Sequence, residues 1–229
     1  MYGCDSNFVI SLINSLHECN SGANNYYSKI DKEKFKIILV SQVDKECVSV
    51  FRRKFESIQN FILYFSNNYT GANISNDIKI EAKNRNIPID FLDTFLKIYI
   101  SNISDLSDPT KRIEISRLML RLKQSVRDFV NDFIDHKTLF IRHFAFVNDL
   151  DSLDKINEIK SVLPEINIYL DIGDDLVIAE HIHYSQKNGQ KILILTNDNA
   201  MISSLKSKDT IDSIKRHLNA ELDIIEFCY

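Results

Sequence analysis

Acids recur in this chain where a metal-assisted reaction would need them. Asp5 closes the short apolar segment Tyr2-Gly-Cys-Asp5, and Asp198 follows Ile192–Thr196 in Thr196-Asn-Asp-Asn199. Glu46 lies in the first turns of the helix expected after Ile37-Ile-Leu-Val40, and Asp174 and Asp175 open a helix just beyond Leu170-Asp-Ile-Gly173. Ligands of open α/β sheets bind beyond the carboxyl ends of the strands, so acids recurring there converge on one edge. Convergent carboxylates repel unless a cation lies between them, and hard oxygen donors suit Mg2+ or Mn2+. Such ions activate water and offset the charge that builds on a phosphate. Each acid also has a plain structural role open to it. Asp5 and Asp198 suit helix N-caps, Glu46 a solvated helix face, and Asp174 and Asp175 the positive end of a helix dipole. Between the last two, Asp175 shares a helical face with Ile178, Ala179 and Ile182, which favours it as the ligand. Asp174 is then a neighbour or second ligand, and Asp171 the third choice.

These segments resemble a known family. Asp5-Ser-Asn7-Phe-Val-Ile10 is similar to the opening motif of PIN-domain nucleases, and Val43-Asp-Lys-Glu46 to the helix carrying their second acid. Asp175-Leu-Val-Ile-Ala179 is similar to the third motif, and Ile194-Leu-Thr-Asn-Asp198 to the strand that ends in the fourth. The resemblance implies a three-layer α/β/α core with a central parallel sheet, built from residues 1–66 and 165–229. It also implies a Mg2+- or Mn2+-dependent endoribonuclease, such as a toxin or defence nuclease. Asp5, Glu46, Asp175 and Asp198 would be catalytic, Asp174 would join them around the metal, and Asn7, Thr196 and Asn199 would support the site. The pattern departs from the family in two places. Residues 67–164 have no counterpart, and Asn199 and Ala200 stand where a further acid is sometimes found.

Other chemistries lack their residues. Asn7 occupies the position where a HAD phosphatase needs its second Asp. No phosphate-cradling Gly-rich loop occurs. His181 and His183 are two apart on a helix and do not share a face, so they do not make a zinc pair. Basic residues gather in the helix expected over 109–136, where Arg117 and Arg121 share a face and Lys123 lies near. A solvated helix face explains them. So does a ridge that holds a phosphate backbone, extended by Arg52 and Arg53, or a surface for a protein partner.

The elements that must position the acids follow from the apolar pattern. Unbroken runs at Ile37–Val40 and Ile192–Leu195 mark strands buried on both faces. Residues 2–5 and Leu222–Phe227 read as two more strands. Helical spacing follows 2–5 and 37–40, with Ser41 as an expected N-cap, and recurs over 175–186 and 199–218. The Asn188-Gly189 pair is a helix stop. Residues 20–31 are polar and read as a loop, while 74–163 read as helical throughout, with helices at 74–85, 88–103, 109–136 and 151–163. Strands alternating with helices imply a parallel sheet, here interrupted by a helical insertion lobe over 67–164.

Bulk properties agree with this reading. Hydrophobic residues make up 44% of 229, enough for a real core. No apolar run is long enough to span a membrane, and the opening residues lack a signal peptide's basic region, so a cytoplasmic protein is expected. In that compartment the four Cys, which lack metal-ligand spacing, read as reduced thiols. The net charge of −4 runs against nucleic-acid binding, although local basic patches still serve. Two function classes remain: an active nuclease, with RNA favoured over DNA, and a catalytically silent PIN-like module that binds RNA or protein. An antitoxin or other protein partner, and a homo-oligomer, stay open.

Overall fold

The computed structural model describes residues 1–13, 17–32, 36–68, 74–89, 92–93, 144–147 and 152–228. The chain divides into two compact units, and the first comprises residues 1–13, 18–47 and 137–229. Its centre is a parallel sheet ordered β3-β2-β1-β4-β5, with β1 at Tyr2–Cys4, β2 at Ile37–Val40, β3 at Phe144–Val147, β4 at Ile192–Thr196 and β5 at Leu222–Glu226. Ile37, Ile38, Val40, Ile192, Ile194 and Leu195 are fully buried, as apolar runs in a parallel sheet require.

Helices α1 (Ser6–Ile13) and α2 (Asn20–Lys32) join β1 to β2, and α3 (Ser41–Asn68) leaves β2. After β3 come α5 (Leu153–Val162) and α6 (Asp174–Asn188), which pack together; α7 (Asn199–Leu205) and α8 (Lys208–Leu218) then connect β4 to β5. Gly189, left-handed at φ 59°, closes α6 at the expected stop. The second unit takes residues 14–17 and 48–136. It holds the rest of α3 and α4 (Ile74–Asn84), where the Arg85 guanidinium stacks 3.7 Å from the Tyr64 ring centroid.

Four expectations fail. First, residues 74–163 are not helical throughout. β3 pairs in parallel with β2, matching Phe144 with Ile37 and Val147 with Val40. The first unit therefore begins its return at residue 137, within the stretch read as an insertion. Most of the helices expected at 88–103, and all of that at 109–136, lie outside the described residues.

Second, residues 20–31 are helix, not loop. The buried face of α2 is made of Gly22, Ala23 and Ile30, and two of these are too small to register as an apolar stripe. A Cβ on Gly22 would stand in the Phe227 carbonyl oxygen, so the bare glycine lets the helix lie against the backbone just after β5. Asn20 adds a side-chain bond to the Ser11 carbonyl at 2.6 Å, satisfying the end of α1.

Third, 199–218 is two helices, because Ser207 caps a new one by accepting from the Thr210 amide at 3.1 Å.

Fourth, two of the four cysteines are bonded. Cys19 and Cys228, 209 residues apart, form a disulfide, while Cys4 and Cys47 are free and buried. The bridge ties the start of α2 to the residues that follow β5.

Unfolded without reductant, the protein should therefore yield two titratable thiols rather than four. Cys19→Ser should lower the unfolding free energy by about 2–5 kcal/mol, the usual range for a lost native disulfide. Four reactive thiols would show that the bridge does not form.

Candidate metal centre

The order of the strands locates the site. From β1 the chain moves to β2 on one side, and from β4 it moves to β5 on the other. A crevice at the carboxyl ends of two such adjacent strands is the usual ligand position of an open α/β sheet. Asp5 and Asp198 follow these two strands.

Register brings them together. Cys4 pairs with Leu195, and the Asp5 amide donates to the Leu195 carbonyl at 3.2 Å, which sets Asp5 beside Thr196. The buried Thr196 hydroxyl donates to Asp5 Oδ2 and accepts from the Asp198 amide at 2.9 Å. Asn7 Nδ2 also donates to Asp5 Oδ2, at 3.4 Å. The two acids are N-caps as well. Asp5 Oδ1 accepts from the Phe8 amide at 2.9 Å, and Asp198 Oδ1 from the Met201 amide at 2.8 Å. Asn199, by contrast, is exposed as the first residue of α7.

Asp5 is only 3% exposed. Burial pushes its carboxyl up to about 7, opposed by the Thr196 and Phe8 hydrogen bonds and reinforced by the charges of Asp198 and Asp174. Asp174 is raised to about 6, first by desolvation and then by Asp198, Glu46, Asp171 and Asp175. Asp5 and Asp174 thus both feel the charge of Asp198, and Asp174 that of Glu46 as well.

Glu46 is half-buried, and its Oε1 accepts from Gln42 Nε2 at 2.8 Å. A Cβ on Gly173 would come within 3.1 Å of that same oxygen. Gly173 has φ 112°, a conformation essentially reserved for glycine. A bare residue therefore brings the start of α6 against Glu46.

The two neighbouring acids differ in their surroundings. Asp175 Oδ2 pairs with Lys160 Nζ at 2.9 Å, and its Oδ1 accepts from the Gly173 amide at 3.2 Å. Asp174 is raised first by desolvation and then by the charges of Asp198 and Glu46. Val177, Ile178, Ala179, His181, Ile182, His183 and Ser185 are all buried, leaving α6 little exposed side. Lys160, Gln42, Gly173 and Glu180 were not anticipated. Lys160 gave no signal beyond its place in a predicted helix.

Among the described residues, no three His, Cys, Asp or Glu side chains are already gathered at ligand spacing. His181 and His183 take no part. The His181 ring is fully buried, with Nδ1 2.8 Å from the Val177 carbonyl, and burial lowers its pKa to about 4. Arg53 is exposed on α3, while the side chain of Arg52, and Arg117, Arg121 and Lys123 entirely, lie outside the described residues.

No family model, curated protein or solved structure matches this chain.

Two outcomes follow from this geometry. The first concerns pH. A carboxyl raised in the fold contributes stability that is complete below its unfolded value, near 3.8, and is lost as pH rises through about 7. Asp5→Asn removes that loss. Without metal, its stability relative to the unmodified protein should grow from pH 4 to pH 8, by on the order of 3 kcal/mol. His181 has the opposite dependence, losing its contribution as pH falls through about 4, but it is common to both proteins and cancels. A difference that stays flat with pH would refute the assignment. The second concerns the backbone. Gly173→Ala should cost roughly 1–3 kcal/mol, measured by denaturant unfolding, because no alanine sits comfortably at that φ. A neutral substitution would mean that the loop re-forms without displacing Glu46.

Proposed function

We propose that this chain is a Mg2+- or Mn2+-dependent nuclease with a PIN-like core, cleaving phosphodiester bonds with RNA favoured as substrate. The observation that carries the reading is Asp5. It is a buried carboxylate at the switch point of the sheet, raised to about 7 first by its burial and then by the charges of Asp198 and Asp174. A fold that keeps mutually repelling carboxylates together, one of them desolvated, is suited to a divalent cation and poorly suited to having none.

The donor set fits such an ion in kind, being carboxylate oxygens alone. Asp5, Asp174, Asp198 and Glu46 would hold it. Asp175 would serve beside them, its charge met by Lys160. The ion, when bound, supplies Lewis acidity toward water and phosphate oxygens. What the protein supplies is the placement of charge. Thr196 fixes the orientation of Asp5 and the backbone of Asp198 with one hydroxyl, and Asn7 restrains the same Asp5 oxygen. The caps on Phe8 and Met201 hold both carboxylates at helix N-termini, whose dipoles partly offset the crowding. Asp5 and Asp174 must lose their protons for the set to be fully charged, so cation binding should strengthen as pH rises through 6 to 7.

The silent-module reading keeps one specific support. The described acids are not pre-gathered at ligand spacing, as a finished metal site would be. Metal binding separates the two readings before any substrate is found.

Asp198→Asn should preserve the fold, because an amide oxygen still accepts from Met201, yet reduce Mn2+-dependent cleavage of labelled RNA by at least roughly 100-fold. Chelation should abolish cleavage in the unmodified protein. Undiminished activity in the Asn variant would remove the nuclease reading.

A further inference from the structure

Glu180 lies on α6, in the helix that Asp174 begins, and both of its carboxylate oxygens are engaged by the first residues of α3. One accepts from the Ser41 hydroxyl at 2.9 Å, the other from the Gln42 amide at 3.0 Å. An acid from 138 residues away thus does the work of an N-cap for a helix whose own Ser41 was expected to provide it. Its negative charge sits at the positive end of the α3 dipole.

This grip reaches the site through one more residue. Gln42, held by its amide, donates through its side chain to Glu46 Oε1 at 2.8 Å. Gly173, immediately before Asp174, lies against both: a Cβ there would be 3.1 Å from Glu46 Oε1 and 3.7 Å from Gln42 Nε2. Glu46 and Asp174 belong to different helices separated by most of the chain. Glu180 joins those helices by two hydrogen bonds, made at the first residues of α3. We infer that Glu180 is a positioning residue for the metal centre, holding Glu46 in register with Asp174 through Ser41 and Gln42. The inference rests on the metal-centre reading above. Glu180 is not itself proposed to touch the ion.

An ordinary structural cap would contribute stability only. A positioning residue acts on cation affinity through Glu46, and a double-mutant cycle tells the two apart. Mn2+ affinity is measured by calorimetry on the full chain for the unmodified protein, Glu180→Ala, Glu180→Gln, Glu46→Gln and the Glu46→Gln/Glu180→Ala pair. Exchange of the Gln42 amide is followed by NMR without metal. Glu180→Ala should weaken Mn2+ binding roughly 10- to 100-fold, the range for lost supporting contacts around a metal. Glu180→Gln should lose far less. Its amide oxygen still accepts from Gln42, and its nitrogen can donate to the Ser41 hydroxyl. With Glu46 already changed to Gln, adding Glu180→Ala should change affinity little. Protection of the Gln42 amide should vanish in Glu180→Ala and persist in Glu180→Gln.

An equal loss of affinity with and without Glu46 would overturn the inference, as would a protected Gln42 amide in Glu180→Ala. If Glu180→Ala does not fold, Ser41→Ala carries the test: it removes one of the two grips and should weaken Mn2+ binding several-fold, and unchanged affinity would overturn the inference. Absence of Mn2+ binding by the unmodified protein would overturn the metal centre and this role together. Loss of the Gln42 result alone would leave the metal centre standing.

Discussion

The hydroxyl of Thr196 is the interaction on which the acid edge of this sheet depends. It is buried, donates to Asp5 Oδ2 and accepts from the amide of Asp198. Few side chains can do both without bringing a charge of their own. A valine would fill the same space and fail twice, leaving a buried carboxylate short of a donor and an amide short of an acceptor. Because β1 and β4 are direct neighbours in fixed register, that single atom couples the two loops whose acids face the switch point. The positions of α1 and α7, each starting from one of those loops, follow from it.

Capping and convergence look like competing explanations of an acid after a strand, yet here they are the same arrangement. A parallel strand that runs into a helix places its cap residue at the carboxyl edge of the sheet. Neighbouring strands then bring their caps side by side. Asp5 and Asp198 each spend one oxygen on a helix amide, and in Asp5 the second oxygen is turned toward Thr196 and Asn7. Helix N-termini supply the partial positive charge that makes a crowded acid edge tolerable. The cost survives in Asp5, whose burial the hydrogen bonds do not cancel.

What could be read from the sequence was whatever depends on local pattern. Unbroken apolar runs gave β2 and β4 because a strand covered on both faces has no polar positions to lose. The acids after the strands were legible for the same local reason. Features decided by distant partners were not. Phe144–Val147 is only four residues long and sits among residues of helical spacing, where a short apolar stretch fits either element; its pairing with β2 decides the matter. Gly22 and Ala23 make a helix face only because Phe227 lies against it. Cys19 finds Cys228 across nearly the whole chain. Ser41 had the right residue type for a cap, and the structure gives the role to Glu180 instead.

The adjacent acids at the start of α6 show how such long-range contacts divide labour between residues that a motif treats alike. Asp174 and Asp175 are both in the first turn and both half-buried. Lys160, from the helix packed against α6, neutralises Asp175 and leaves Asp174 to the other acids. With Asp174 raised to about 6 and Asp5 to about 7, the edge carries less than its full negative charge near neutrality. In the proposed metal centre, protons would compete with the divalent cation for the same oxygens. A change in pH around neutrality therefore changes the charge that this edge carries. That sensitivity to pH comes from burying one carboxylate and setting another among acids.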